Sequence, residues 1–161
     1  MRVRATCRLG PVAAITFLIR DSNVGAMVVV LVYSDGYVGG DGRGGWAFVA
    51  RGEGVEAREA GALVGASSHL AEWTAVARAL AWCEEHLQPP QTLELRTDAS
   101  LVEKGLASRR PQMSGEAAAL RAGCRQALAR LAERGVPARV VRVPRAENEE
   151  ADAAAREAAH R

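Results

Sequence analysis

The segment VVVLVYSDGYVGGDGRGGWAFVA, residues 28–50, opens on six apolar or aromatic residues, reaches an acid at Asp35 and then enters a run of glycines. Val28, Val29, Val30, Leu31, Val32 and Tyr33 form a continuous, mostly β-branched stretch, the pattern of a strand covered on both faces near the middle of a sheet. An acid at the carboxyl end of such a strand stands at the rim of the core. There an unpaired charge is costly, and metal binding or catalysis competes with a plain Asp-Gly turn as the explanation. Other acids must decide between them.

Downstream, Trp46 to Arg51 reads as a second strand, and Gly52–Gly54 makes a tight link to VEAREAGALVG, whose alternation suits a half-exposed third strand. Ser67 and Ser68 offer an N-cap to a helix whose Leu70, Trp73, Ala77, Leu80, Cys83 and Leu87 recur at spacings of three and four, ending before Pro89-Pro90. TLELRTD is the fourth strand and again finishes on an acid, Asp98. A helix separates it from the earlier strands, so it is expected to run parallel to the first. A short helix, ASLVEKGLAS, is broken by Pro111; Leu120, Cys124, Leu128 and Leu131 mark a longer one up to Gly135. VPARVVRVP is a fifth strand and ENEEADAAAREAAHR a terminal helix. The expected fold is α/β: a five-stranded mixed sheet, β-β-β-α-β-α-α-β-α, with helices packed on it.

Composition bounds the function. With 48% hydrophobic and 25% charged residues, the chain reads as an ordinary globular domain spanning residues 27–161. Residues 1–28 hold four arginines against Asp21, so the 21 basic and 19 acidic residues become 17 and 18 in the remainder, a net of −1. Bulk charge therefore gives no nucleic-acid footprint, and such binding must rest on local placement. Cys7, Cys83 and Cys124 are widely spaced without a CxxC pair, and His69, His86 and His160 form no ligand-spaced cluster. Neither a disulfide framework nor a zinc site is supported, and a reducing, cytoplasmic setting is expected. Residues 1–26 read three ways: a segment upstream of a natural start at Met27, a targeting segment that is Arg-rich and acid-poor, or an ordered addition. Their apolar run is far short of the ~18 residues of a membrane span.

Two parallel neighbours that end in Asp35 and Asp98 bring those carboxylates together at one end of the sheet, where α/β crevices bind ligands. Glu72, in SSHLAEW, and Asp152, in ENEEAD, fall in the first turns of their helices, a placement the helix dipole alone could explain. Taken together, the order strand-Asp, helix-Glu, strand-Asp, helix-Asp resembles the type 1 ribonuclease H family, over roughly residues 27–160. The motifs are SDG with the glycine-rich GDGRGGW, AEW opening a helix, TDAS after the fourth strand and VPRAENEEAD near the C-terminus.

The resemblance implies an endonuclease that hydrolyses the RNA strand of an RNA·DNA hybrid with two Mg²⁺ ions, Mn²⁺ being an alternative. Asp35, Glu72, Asp98 and Asp152 would be the metal-binding carboxylates. Hard divalent ions want oxygen ligands, so carboxylates without a His or Cys cage suit them, and two ions ~3.5–4 Å apart can ready a water and stabilise a departing oxygen. Arg145 stands where many members carry a loop histidine, as in a short, archaeal-like subgroup. An arginine grips phosphate but cannot shuttle protons at neutral pH. The resemblance also implies substrate contacts at Gly36, Ser68, His69, Ser100 and Asn148. Ser68 and His69 replace paired asparagines, Ser100 a glutamine, and Gly40 an asparagine. The basic protrusion of some members is missing, and Arg109 and Arg110, in ASRRPQMSGE, read either as a reduced phosphate contact or as a solvated loop pair. A monomer with no membrane partner is expected. The competing functions are a non-catalytic hybrid-binding module on the same fold and another nuclease of the wider superfamily, such as a resolvase.

Overall fold

The computed structural model describes residues 27–108 and 115–161. The segment 1–26, with Cys7, and the Arg109, Arg110 and Pro111 stretch lie outside the described residues. β1 (Val28–Val38), β2 (Arg43–Gly52) and β3 (Val55–Val64) form an antiparallel meander. After α1 (Ser68–His86), β4 (Gln91–Thr97) joins β1 in parallel. Then come α2 (Ser100–Ala107), α3 (Glu116–Glu133), β5 (Ala138–Arg142), a 3-10 turn (Arg145–Glu147) and α4 (Glu149–Ala159). The strand order is β3-β2-β1-β4-β5, so the expected mixed sheet and element order are observed, with the 3-10 turn as an addition.

One face of the sheet carries the main core. Val30, Val32, Phe48, Leu93 and Leu95 pack against Trp73, Val76, Leu80 and Cys83 of α1 and Cys124 and Leu131 of α3. Ser67 caps α1 by accepting from the Leu70 amide at 3.1 Å, the bond its sequence position promised. The buried stripe of α1 runs through Ala71, Trp73, Val76 and Leu80, so Leu70 and Ala77 sit at its edge rather than within it.

The opposite face differs from the sequence expectation. β1 is central but not fully covered: Val29 is exposed and Leu31 and Tyr33 half-buried, because α4 covers β1–β3 and, among the described residues, no helix covers the β4–β5 half of this face. On that open half the buried Glu94 is held by Arg96, at 2.7 Å, and by Arg139; Arg96 also donates to the Tyr33 hydroxyl at 2.9 Å. Burial opposes the Glu94 charge, but the two guanidinium groups outweigh it and keep its pKa below the usual range.

Two glycines fix how closely the helices approach. A Cβ on Gly36 would lie 2.2 Å from the α1 backbone at Ala71 and Glu72, and one on Gly45 would lie 2.1 Å from the Ala155 carbonyl of α4. Both helices therefore rest on bare strand backbone.

Candidate active site

β1 pairs with β4 as far as Tyr33 opposite Arg96. Two residues beyond that last pair, Asp35 within β1 and Asp98 just past the end of β4 stand level. β1 does not end at its acid, as the glycines suggested, but runs on to Val38 paired only with β2. Asp35 thus sits inside the strand, where it has lost its parallel neighbour, and is only 4% exposed. Glu72 arrives from α1. It is the fifth residue of that helix, a turn later than expected, so favourable interaction with the helix terminus does not account for it. Its Oε2 accepts from the Gly36 amide at 3.2 Å, a bond available because α1 lies against that glycine.

One carboxylate oxygen from each of Asp35, Glu72 and Asp98 lies within 4.8 Å of the others. Burial first, then the Glu72 and Asp98 charges, push the Asp35 pKa from 3.8 up to about 8. Burial and Asp98 push Glu72 from 4.5 up to about 7, against the opposing pull of the Gly36 amide and Arg145. Crowded, desolvated acids of this kind hold protons until a cation replaces them. The set is all oxygen, the ligand type that hard divalent ions prefer.

Asp152, in the first turn of α4, is not one of these three clustered acids but stands beside them, within hydrogen-bonding reach of Asp35. Its two oxygens go to two arginines: Oδ1 accepts from Arg145 at 3.1 Å and Oδ2 from Arg156 at 2.8 Å. Burial would raise its pKa, but the Arg156 hydrogen bond leads the influences that bring it below normal. Arg156 in turn lies over the Tyr37 ring, 4.4 Å from its centroid. Arg145 pairs with Asp152, not with the nearby Glu147 or Glu149.

The remaining expected residues are dispersed. Ser68 and His69 are exposed in the first turn of α1, and Ser100 is half-buried at the start of α2. Asn148 is buried rather than presented to solvent, and its amide contacts Asp98. Arg156 and Tyr37 escaped sequence reading. The available signal was the four-residue spacing from Asp152 to Arg156 in DAAAR, which on a helix is as common in surface ion pairs.

No family model and no curated protein matches the sequence. Among solved structures, RNase H1 from the halophilic archaeon Halobacterium salinarum NRC-1 superposes with a TM-score of 0.69 at 30% identity, over 81% of this chain and 96% of that one. The chain belongs to the type 1 ribonuclease H family. The N-terminal RNase H domain of a Mycobacterium tuberculosis protein (TM-score 0.70, 21% identity, 83% of this chain and 94% of that one) shares the fold. So does LC11-RNase H1, isolated from compost by a metagenomic approach and solved in complex with an RNA/DNA hybrid (0.67, 20%, 81% and 96%). This ribonuclease H is accordingly a hydrolase, and the reading as a non-catalytic module is set aside. Among the described residues of this ribonuclease H, no helix is long and apolar enough to cross a membrane.

Proposed function

We propose that this ribonuclease H cuts internally in the RNA strand of RNA·DNA hybrids, with two Mg²⁺ ions, or Mn²⁺, held by Asp35, Glu72, Asp98 and Asp152. The observation that carries this is the convergence of three carboxylate oxygens from β1, α1 and the end of β4 within 4.8 Å, with Asp152 alongside. The hybrid bound by LC11-RNase H1 supports the substrate class. When bound, the ions supply the charge that readies a water for in-line attack and stabilises the departing 3′ oxygen.

The chain's own residues do the rest. The Gly36 amide fixes Glu72, and Arg156 on Tyr37 fixes one oxygen of Asp152. Arg145, 65% exposed, is free to turn from Asp152 to a phosphate oxygen of the substrate. Ser68, His69 and Ser100 lie at the starts of α1 and α2, where they can meet the hybrid's backbone and 2′-hydroxyls. The protein works as a monomer in the cytoplasm; the free thiols of Cys83 and Cys124 suit that reducing setting.

Matched RNA·DNA, RNA·RNA and DNA·DNA duplexes, offered with Mg²⁺, test this directly. Cleavage confined to the RNA of the hybrid is expected, and equal cutting of DNA·DNA would favour the resolvase-like reading. Asp98→Asn should abolish turnover while hybrid binding survives, because it removes a charge and keeps the shape; a wild-type rate would refute the ligand assignment.

A further inference from the structure

Three elements of the site meet at one buried side chain. Asn148 follows the 3-10 turn, immediately precedes α4 and is 1% exposed. Its Nδ2 donates to the Ser34 carbonyl of β1 at 3.0 Å and to Asp98 Oδ1 at 3.1 Å. Its backbone carbonyl accepts from the Asp152 amide at 3.0 Å, the first bond of the helix that bears Asp152. One residue thus touches the strand of Asp35, the carboxylate of Asp98 and the backbone of Asp152.

The chemistry of the amide is unusual for its place. An asparagine before a helix ordinarily turns its side-chain oxygen to the free amides of the first turn, worth ~1 kcal/mol, yet α4 receives no side-chain cap. Oδ1 is instead buried without a partner, which costs about 1–3 kcal/mol. The alternative amide orientation would set Oδ1 against a backbone carbonyl and a carboxylate, acceptor facing acceptors, so the donors must point this way. Helix capping and hydrogen-bond satisfaction are both forgone to aim two N–H groups at Ser34 and Asp98.

We infer that Asn148 is a positioning residue that sets the orientation of Asp98 for metal binding, rather than a substrate contact. This rests on the proposed reading of Asp98 as a ligand. A neutral donor is the appropriate device, because it fixes one oxygen without neutralising the charge the ion needs. The cations among the hydrogen-bond partners of the four acids, Arg145 and Arg156, both go to Asp152.

The test is Mn²⁺ binding by calorimetry on the free protein, alongside melting temperature in chelator and kcat and KM on the hybrid, for wild type, Asn148→Ala and the isosteric Asn148→Asp. Asn148→Ala should weaken Mn²⁺ binding by roughly 10–100-fold, the usual effect of removing a group that orients a metal ligand. Its kcat should fall with KM for the hybrid nearly unchanged. Asn148→Asp keeps the shape but faces Asp98 with a like charge, and its kcat should fall at least as far. A raised KM with unchanged kcat and Mn²⁺ affinity would make Asn148 a substrate contact and overturn the inference. So would a lowered melting temperature with Mn²⁺ affinity and kcat intact at lower temperature, which would make it only a clamp on the fold. Wild type that binds Mn²⁺ but leaves the hybrid uncut would sink the substrate reading, and the Mn²⁺ comparison would still decide the role of Asn148.

Discussion

Asp152 is gripped by two guanidinium groups of unequal freedom. Arg156 shares its helix and rests on Tyr37, whereas Arg145 approaches from the 3-10 turn and is mostly in solvent. Arg145 is therefore the partner that substrate phosphate can draw away. Arg145→Ala should lower kcat/KM by about 10–100-fold, the worth of one charge-assisted hydrogen bond of ~1.5–3 kcal/mol. Arg145→Lys should recover part of this by restoring charge without the planar fork. Steady-state rates check it, and an unchanged Ala variant would reduce Arg145 to an exposed ion pair worth at most ~1 kcal/mol. The acids were legible in the sequence because each falls close to a strand end or helix start that periodicity could locate, although Asp35 lies inside β1 and Glu72 one turn into α1. The amide of Asn148 and the Arg156–Tyr37 stack were not, since both depend on which side chains meet across β1 and α4, and linear spacing holds no such information.

α1 and α4 reach the site by lying on glycine. Gly36 and Gly45 read as turn formers in the sequence, and that is why β1 was expected to stop near Asp35. In the fold their missing side chains make room for helix backbone instead. Gly36→Ala must push α1, and Glu72 with it, away from β1. Loss of more than ~2 kcal/mol is expected, at the upper range for overpacking because the obstacle is backbone, with a larger fall in activity than stability alone explains. Gly45→Ala should displace α4 and Asp152 while leaving the α1 side in place. Denaturant melts paired with rates at a temperature where both variants are folded separate the two effects. The order of elements was legible because helices and strands differ in apolar period. Coverage was not: a β-branched run implied two buried faces for β1, and the open β4–β5 half appears only once α4 is seen to span β1–β3.

For the molecule as a whole, the acid cluster links stability to pH. Asp35 and Glu72 have folded pKa values raised to about 8 and about 7, so the unfolded chain releases these protons first as pH rises. Their contribution is neutral in acid, turns unfavourable above ~4 and is fully unfavourable only beyond their folded values. Metal-free protein should therefore melt lower at about pH 8.5 than at about pH 6, a difference erased by Mg²⁺ or Mn²⁺ and flattened in Asp35→Asn. Scanning calorimetry with and without chelator measures this. The low pKa of Asp152, Glu84, Glu94 and Glu157 contributes stability lost only in more acidic solution, outside that window. The described residues also form two cores of unequal size. α4 buries only alanines, Ala151, Ala154, Ala155, Ala158 and Ala159, and its outer ties are the exposed pairs Arg51–Glu150 and Arg58–Glu157. Little apolar area and solvent-screened charges make it the element that opens most cheaply. Amides of α4 should exchange with deuterium well before those of α1 and β1, and sooner still in high salt. Each such opening carries off Asp152 and leaves Asp35, Glu72 and Asp98 on the other elements, so one acid of the four can come and go while the sheet persists.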